Sequence, residues 1–420
     1  MENREKPITE LLSFMVDNRG KTVPTVESGF PLIATNCIKH NSIYPTFENI
    51  RYVDETTKGS WFRAHPEPND IIFVNKGTPG RVCLVPDPVP FCFAQDMIGF
   101  RCNPEKIDYQ YLFAVLRSGY IQKKIENYHV GLVIPHFKKG DLKQLNIPRL
   151  ESREAELAVG KLYLALSEKI ELNNHINAEL QAMTKTLYDY WFVQFDFPDA
   201  NGKPYKTSGG KMVYNEILKR EIPEAWEVKK LIDVTSLIRR GISPQYTDNS
   251  GIPVLNQKCV RDHKISFDDS RRHKIELDDE DERLLKPFDV VVNSTGVGTL
   301  GRVAYVKRLP EKKTTVDSHV SIVRANHELL SPQYLAWKLM KHQPVIESAA
   351  NGSTGQVELS KSFLEDIDVI IPAEPVTQKF DTFINSIVLK LAARESENER
   401  LINLRDWLLP MLMNGQVTVS

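Results

Sequence analysis

Two long segments of the chain carry apolar residues at steps of three and four. Residues 152–192 contain no proline and a single glycine, Gly160, and a second segment at 374–415 follows the same spacing. Heptad spacing over about four heptads predicts two long helices that pack as a coiled coil. The apolar positions chosen for the seam and partner contacts are Leu166, Ile176, Leu180, Leu187 and Trp191 in the first helix, and Leu391, Leu401 and Leu408 in the second.

Both apolar stripes are interrupted by polar residues at the same place. Lys169 and Asn173 in the first segment correspond to Arg394 and Asn398 in the second. An asparagine in a coiled-coil seam costs stability and fixes register or partner. Alternatively, these polar residues face solvent where the helices splay apart. The sequence leaves both interpretations open.

The segments before the two helices have a different pattern. Short β-rich runs at 71–74, 82–85, 290–292 and 303–306 alternate with Gly, Pro and Asn turns. Short helices are predicted near 109–116 and 332–340. This pattern indicates an α+β domain of about 150 residues, followed by a long helix, occurring twice.

Matching residues reveal an internal duplication. Gly80-Arg81 corresponds to Gly301-Arg302, and each copy ends in an Ile-Pro pair before its long helix. Such long-range self-similarity predicts two copies of one module. The predicted boundaries are a first domain at 1–150, a helix at 151–193, a Gly-, Pro- and Lys-rich linker at 194–220, a second domain at 221–373, a helix at 374–415 and a tail at 416–420.

Composition narrows the class without selecting a function. The 420 residues carry 54 Lys and Arg against 55 Asp and Glu, and a balanced total does not exclude nucleic acid, because binding depends on where the basic residues lie. The five cysteines form no C-x-x-C pair, which argues against a disulfide scaffold or a structural zinc site and favours the cytoplasm. No apolar run is long enough to span a membrane.

Motifs for catalysis are weak or missing. Residues 296–301 read G-x-G-x-x-G, but a second predicted strand follows where a dinucleotide site needs a helix, so we expect a strand-connecting loop. The chain has no G-x-x-x-x-G-K-[ST] motif and no Asn-Pro-Pro-aromatic motif, and its histidines lack the spacing of a metal cluster. The sequence therefore predicts no catalytic residue, no metal site and no cofactor of its own.

Basic residues on irregular segments are the candidates for DNA contact. Phosphate contacts position a protein, whereas a few Arg, Asn or Gln side chains read base edges. For each candidate the alternative is a solvated surface charge, and the acidic run at 278–282 is expected to face away from DNA. The candidates are Arg19, Lys21, Lys76, Arg81, Lys138, Lys139, Arg239, Arg240, Lys258, Arg261, Arg271, Arg272 and Arg302.

An aromatic stretch ends the first helix. The stretch is too apolar for an exposed helix end, and it consists of Tyr188, Tyr190, Trp191, Phe192, Phe195 and Phe197. They either pack against the second helix and the next domain or form a docking surface for a partner. Trp407, near the end of the second helix, allows the same two interpretations.

The ordered set of segments resembles the DNA-specificity subunit of type I restriction-modification systems. The resemblance covers essentially the whole chain and rests on the two Ile-Pro-then-helix segments, the aromatic junction at 187–197, the GKPYKTSGGKM segment and the restart at 222–228. The opening of the chain departs from this pattern, because no Ile-Pro-x-x-Trp restart precedes Ile8.

The resemblance implies a fold and a function. It implies two tandem target-recognition domains whose long helices pair as an antiparallel coiled coil with a pseudo-two-fold. Each domain would read one half of a split DNA target, and the helices would dock two methyltransferase subunits and, with them, restriction subunits. S-adenosylmethionine would then bind the methyltransferase partner. The alternative is a protein-interaction scaffold that does not read DNA.

Overall fold

The computed structural model describes residues 5–18, 22–128, 135–248, 250–274, 277–349 and 358–418. They divide into two compact units, Met1–Ile176 with Glu395–Ser420, and Asn177–Arg394. Each unit therefore contains one copy of the repeat, the beginning or end of the first long helix, and the opposite end of the second. The boundary between the two units falls inside both long helices. The predicted limits instead separated each domain from the helix that follows it.

The first repeat contains a four-stranded, a three-stranded and a two-stranded sheet, with short helices beside them. Its strands are β1 (Glu5–Pro7), β2 (Leu12–Val16), β3 (Phe30–Ile33), β4 (Arg51–Val53), β5 (Ile71–Val74), β6 (Val82–Leu84), β7 (Cys92–Phe93), β8 (Met97–Cys102) and β9 (Asn146–Pro148). Its helices are α1 (Ile8–Leu11), α2 (Glu55–Ser60), α3 (Tyr109–Arg117) and α4 (Gly119–Asn127), and the long α5 (Arg153–Tyr188) follows.

The second repeat begins with a hairpin that has no counterpart among the described strands of the first. The strands are β10 (Met212–Asn215), β11 (Arg220–Pro223), β12 (Glu227–Lys230), β13 (Thr235–Arg240), β14 (Tyr246–Thr247), β15 (Ile252–Leu255), β16 (Val260–Arg261), β17 (Lys264–Ile265), β18 (Arg271–His273), β19 (Val290–Asn293), β20 (Val303–Tyr305), β21 (Thr315–Val316), β22 (Val320–Ala325) and β23 (Asp368–Ile371). The helices are α6 (Pro332–Ala349), α7 (Lys361–Glu365) and the long α8 (Glu374–Met413).

The two repeats share one topology. The main antiparallel sheet has the strand order β2-β8-β5-β6 in the first repeat and β13-β22-β19-β20 in the second. The strand register shifts at the same place in both sheets. The shift lies between β2 and β8 in the first repeat and between β13 and β22 in the second. A second sheet, β4-β3-β7 or β14-β18-β15-β21, contains one parallel pair in each repeat. These correspondences confirm the internal duplication predicted from the sequence.

The central strands account for the apolar runs of the sequence. All four residues of β5 and all four of β19 are buried, as a continuous run of apolar residues between turns predicts. The predicted strand runs and the short helices near 109–116 and 332–340 are all present. Among the helices described, none is both long enough and apolar enough to cross a membrane.

A buried ion pair occupies the same place in each main sheet. Arg101 donates to both carboxylate oxygens of Asp70 at 3.0 Å, and Arg324 donates to those of Asp289 at 2.8 and 2.6 Å. Each aspartate stands just before the central strand and each arginine on the neighbouring strand. Burial raises the pKa of the Asp289 carboxyl, while the Arg324 guanidinium opposes that shift. The pair ties together two strands whose contributing residues are far apart in the chain.

Each unit contains a pairing of the two long helices. In the first unit the Arg405 guanidinium lies 5.4 Å from the Tyr163 ring centre, and Asn173 contacts Asn398. The residue numbers of the contacting positions therefore decrease along α8 as they increase along α5, so the two helices run antiparallel. In the second unit, the ring centres of Tyr188 on α5 and Phe380 on α8 lie 6.2 Å apart.

The segment predicted as a linker is folded. Residues 194–220 include β10, which pairs with β11, and side chains that are buried in the core of the second unit. Phe197 stacks on Trp226 with ring centres 4.9 Å apart, and Phe195 is fully buried. Asp196 accepts hydrogen bonds from the backbone and hydroxyl of Thr207 at 2.7 and 2.6 Å. The linker prediction was wrong. It rested on the glycines and lysines of the segment, whereas the burial of Phe195 and Phe197 anchors the segment to the core of the second unit.

Gly160 marks the closest approach of α5 to α3. A Cβ at this position would lie 2.5 Å from the Tyr111 amide nitrogen and 2.8 Å from the Gln110 carbonyl carbon. These are backbone atoms, which cannot rotate aside. The single glycine of the first helix is thus explained by packing.

Replacing Gly160 with alanine is expected to lower the free energy of unfolding by about 1–3 kcal/mol, the usual cost of overpacking. The measurement is urea denaturation of the purified full chain. Gly59→Ala is the matched control, since Gly59 lies in α2 with open space around it, and helix propensity predicts a gain of up to about 1 kcal/mol. Equal effects of the two substitutions would contradict the packing role of Gly160.

Candidate nucleic-acid interface and helix seam

The candidate basic residues of the first repeat have different surroundings. Lys76 is exposed, with its amine 3.9 Å from an Asp96 carboxylate oxygen. Lys138 is exposed, whereas Lys139 forms a 2.6 Å ion pair with Asp17. Arg19 and Lys21 lie outside the described residues. Lys76 and Lys138 are therefore the candidates of this repeat whose cations are most open to a phosphate.

The repeated Gly-Arg pairs have a structural cause. Gly80 and Gly301 have φ values of 93° and 82°, which favour glycine. A Cβ on Gly301 would lie 2.8 Å from the Cα of Glu347 in α6, and one on Gly80 would meet Gln122 of α4 at 2.9 Å. The recurrence of these glycines is therefore explained without DNA.

The arginines of these pairs bind nearby carbonyl groups. Arg302 donates to the Gly298 carbonyl oxygen at 2.9 Å, and Arg81 donates to that of Ile38 at 3.5 Å. Both side chains are half-buried. Arg302 thus holds its own loop, whereas Arg81 reaches a segment 43 residues earlier in the chain, and DNA contact by either one stays a prediction.

Three arginines of the second repeat are paired with glutamates from distant parts of the chain. A carboxylate within ion-pair distance competes directly with a DNA phosphate for the same guanidinium. The pairs are Arg239 with Glu282, Arg240 with Glu358, and Arg272 with Glu311. To bind phosphate, each of these arginines must release a protein partner.

The acidic run at 278–282 is partly neutralised by these contacts. Asp279 pairs with Lys313 at 2.6 Å, and Glu282 pairs with Arg239. Hydrogen bonds from Arg283 hold the pKa of the Asp281 carboxyl at about 2. Glu282 therefore lies beside a candidate DNA contact, and the expectation that the run faces away from DNA stays a prediction.

Three cations of the second repeat are exposed around β15 and its neighbours. Lys258 lies in a 3₁₀ turn, Gln257–Cys259, that directly follows β15, and Arg261 ends β16. Arg271 begins β18, which pairs with β15, and its guanidinium lies 3.4 Å from the ring centre of Tyr246. These side chains leave their charges accessible to solvent. They are the strongest phosphate-contact candidates of this repeat.

A chain of polar side chains beside Lys258 was missed by the sequence reasoning. Gln257 donates to the Thr295 hydroxyl at 2.6 Å, and that hydroxyl lies 2.8 Å from Nδ1 of His319. Amide and imidazole groups can recognise base edges. Thr295 belongs to the loop with the G-x-G-x-x-G sequence, which joins β19 to β20, so the prediction of a strand-connecting loop is confirmed.

A groove along β13 adds further polar groups. It is lined by the hydroxyls of Ser236, Ser321 and Ser360 and by the cations of Arg240 and Lys361. Lys361 opens α7, for which Ser360 provides the N-cap. Lys361 could not be identified from the sequence, because its neighbours in the groove come from distant segments.

The asparagines that interrupt the apolar stripes are buried against each other. Asn173 is 1% exposed and Asn398 is 7% exposed, and Asn173 Nδ2 donates to Asn398 Oδ1 at 2.9 Å. Lys169 is partly exposed and lies 3.6 Å from Glu397. The interpretation that the asparagines face solvent is therefore wrong, whereas Lys169 does reach the surface.

The apolar seam positions differ in burial. Leu391 is buried, Leu187 and Trp191 pack at the edge of the second unit's core, and Leu408 packs at the edge of the first unit's core. The half-buried positions are Leu166, Ile176, Leu180 and Leu401. Their contact with a partner protein stays a prediction.

The aromatic stretch after α5 is mostly core. Tyr188, Phe192 and Phe195 are buried in the second unit, and Phe192 lies 4.9 Å from Phe380 between ring centres. Packing therefore accounts for these rings. Trp407 differs, because it is 56% exposed on α8.

Comparisons with known proteins agree on one family. The family described as type I restriction modification DNA specificity domain matches residues 7–182 and 223–399. The chain is 24% identical over 316 residues to the type I restriction enzyme MjaIX specificity subunit of Methanocaldococcus jannaschii, covering 74% of this chain and 69% of that protein. It is 24% identical over 326 residues to the type I restriction enzyme HindI specificity subunit of Haemophilus influenzae, covering 65% of this chain and 69% of that protein.

A solved structure has the same fold. The crystal structure of the type I restriction-modification system S subunit from M. genitalium superposes with a TM-score of 0.56 at 16% identity, covering 97% of this chain and 95% of that one. The fold class predicted from the sequence is confirmed.

Proposed function

The chain belongs to the type I restriction-modification DNA specificity family, and from that premise we propose that it is the subunit that reads DNA sequence in such a system. Each repeat contacts one half of a split target, and unread base pairs separate the halves. The observation that carries this proposal is the shared topology of the two repeats, each with its own exposed cations. Two copies of one module suit two separate short sequences.

The chemistry of methylation belongs to a partner under this proposal. Two methyltransferase subunits dock on the paired helices, S-adenosylmethionine binds those subunits, and restriction subunits join through them. This chain positions the catalytic partners and supplies no catalytic group. The support is its sequence, which lacks the phosphate-binding and methyltransferase motifs sought.

An exchange of recognition domains tests the proposal. Residues 1–150 are replaced by the first domain of another specificity subunit, the hybrid is co-expressed with the methyltransferase subunit, and methylated motifs are mapped by single-molecule sequencing. We expect one half of the motif to change and the other half to persist. A donor domain that tolerates apolar side chains opposite Val159, Tyr163 and Leu409 is needed, because these helix residues complete the first domain's core.

The reciprocal exchange of residues 221–373 is the control, and it should change the other half alone. A change of both halves by one exchange would contradict the modular assignment. A stable complex that methylates no motif and binds duplex DNA without salt dependence would instead favour the protein-interaction scaffold.

A further inference from the structure

The Asn173–Asn398 contact uses every amide hydrogen of both side chains. Asn173 Nδ2 donates to Asn398 Oδ1 at 2.9 Å and to Glu397 Oε2 at 2.8 Å. Asn398 Nδ2 donates to Asn174 Oδ1 at 2.9 Å and to the Ile170 carbonyl oxygen at 3.4 Å. All four bonds cross from one long helix to the other. All four hydrogen bonds of this asparagine layer can therefore form only at one axial offset between the two helices.

The position of the pair within the repeat is special. Asn173 and Asn398 are equivalent in the duplication and lie 225 residues apart. In an antiparallel pair of repeat-related helices, one position of each helix faces its own equivalent, at the local two-fold axis. The chain places its hydrogen-bonded asparagines at that position. A shift of either helix removes the self-matching contact.

The apolar residues around this layer discriminate poorly between offsets. Leu166 and Leu180 stand one heptad before and after Asn173 on α5, and Leu391 stands one heptad before Asn398 on α8. Apolar contact is non-directional, so a sequence that repeats every heptad can pair in more than one register. Hydrogen bonds between buried amides do discriminate, because a mismatched layer leaves polar groups buried without partners.

We propose that the Asn173–Asn398 pair is a positioning element that selects the register of the two helices and thereby the number of unread base pairs in the target. This inference rests on the proposed function, since each helix is joined to a recognition domain. A slide of one heptad moves a helix by about 10 Å, which corresponds to about three base pairs of DNA. The asparagines contact neither DNA nor substrate in this role.

The first test reads the register directly and does not depend on DNA. A zero-length carbodiimide couples the Lys169 amine to the Glu397 carboxylate, which lie 3.6 Å apart, and the coupled peptides are mapped by mass spectrometry on the full chain. In the double variant N173L/N398L we expect coupling to Glu397 to fall several-fold while Lys169 couples to other carboxylates. Unchanged coupling in the folded double variant would overturn the proposal.

Single variants and a control separate register from stability. N173L alone leaves the buried Oδ1 of Asn398 without its donor, so we expect a lower Tm than in the parent, whereas the double variant recovers it through apolar packing. N403L makes the same chemical change at an exposed position of α8 and should alter neither Tm nor coupling. A double variant that melts below both singles would contradict the role of the layer as a device for specificity.

The second test reads the target. The double variant is co-expressed with the methyltransferase subunit, and the spacer between methylated half-sites is compared with that of the parent and of N403L. We expect one spacer length in the parent and N403L and a mixture or a new length in the double variant. Shifted coupling with an unchanged spacer would overturn the link from register to target. If the parent itself methylates no split motif, the proposed function fails, while the coupling result still decides the register.

Discussion

Replacing Arg324 with leucine is expected to lower the free energy of unfolding by about 3–5 kcal/mol, the cost of removing one partner of a buried ion pair. The Asp289 side chain is 1% exposed, so its charge would remain inside the sheet with the backbone hydrogen bond from Lys286 but without the guanidinium. Arg324 also donates to the carbonyl oxygens of Glu282 and Leu284 at 3.0 and 2.7 Å. Urea denaturation of the full chain, followed by tryptophan fluorescence, measures the loss.

The double variant R324L/D289L provides the sharper comparison. Removing both charges leaves no isolated ion, so we expect it to be more stable than R324L alone. Arg261→Leu is the matched control, since Arg261 is exposed and its side chain has 75% of its surface accessible. Equal stability of R324L and R261L would contradict the structural role of the buried pair.

The sequence predicted the parts of the fold that local patterns determine. The central strands are continuous apolar runs, and the long helices carry heptads, so both could be identified without a partner segment. The buried pair of Arg324 and Asp289 could not, because the two residues are 35 positions apart and meet only when β22 pairs with β19. Non-local strand pairing is not visible in local periodicity.

The candidate interface was predicted less well, and for a physical reason. A basic residue in a sequence shows its charge but not the carboxylate that neutralises it. Arg239 and Glu282 are 43 residues apart, yet they form an ion pair. Arg271, by contrast, is exposed above Tyr246. Accessibility therefore separates candidates that the sequence could only treat alike.

For the seam asparagines, too, the sequence does not show which residue each one contacts. Their equivalence in the two repeats was readable from the sequence, but their burial depends on the offset between two helices that are distant in the chain. Only the paired helices show that Asn173 faces Asn398 and not solvent.

Removing the exposed cations of the second repeat should weaken DNA binding more than removing equal charge elsewhere. For the triple variant K258A/R261A/R271A we expect the slope of log K against log salt to fall in magnitude by about 2–3, at about 0.9 per phosphate contact. Affinity at fixed salt should fall about 30- to 150-fold, since the loss of two to three contacts at about 1 kcal/mol each totals about 2–3 kcal/mol. The measurement is a salt titration of duplex binding by the full chain with its methyltransferase partner.

The control removes three exposed lysines of the long helices in the variant K185A/K379A/K390A. It changes the net charge equally, so a general electrostatic effect would lower the slope in both variants alike. A change confined to the first variant assigns the contacts to the β15 region. A reverse result, with loss only in the helix variant, would move the DNA-binding surface away from that region.

The paired arginines give a further internal check. E282Q releases Arg239 from its carboxylate partner and should strengthen DNA binding if the Arg239 guanidinium lies within reach of the DNA phosphates.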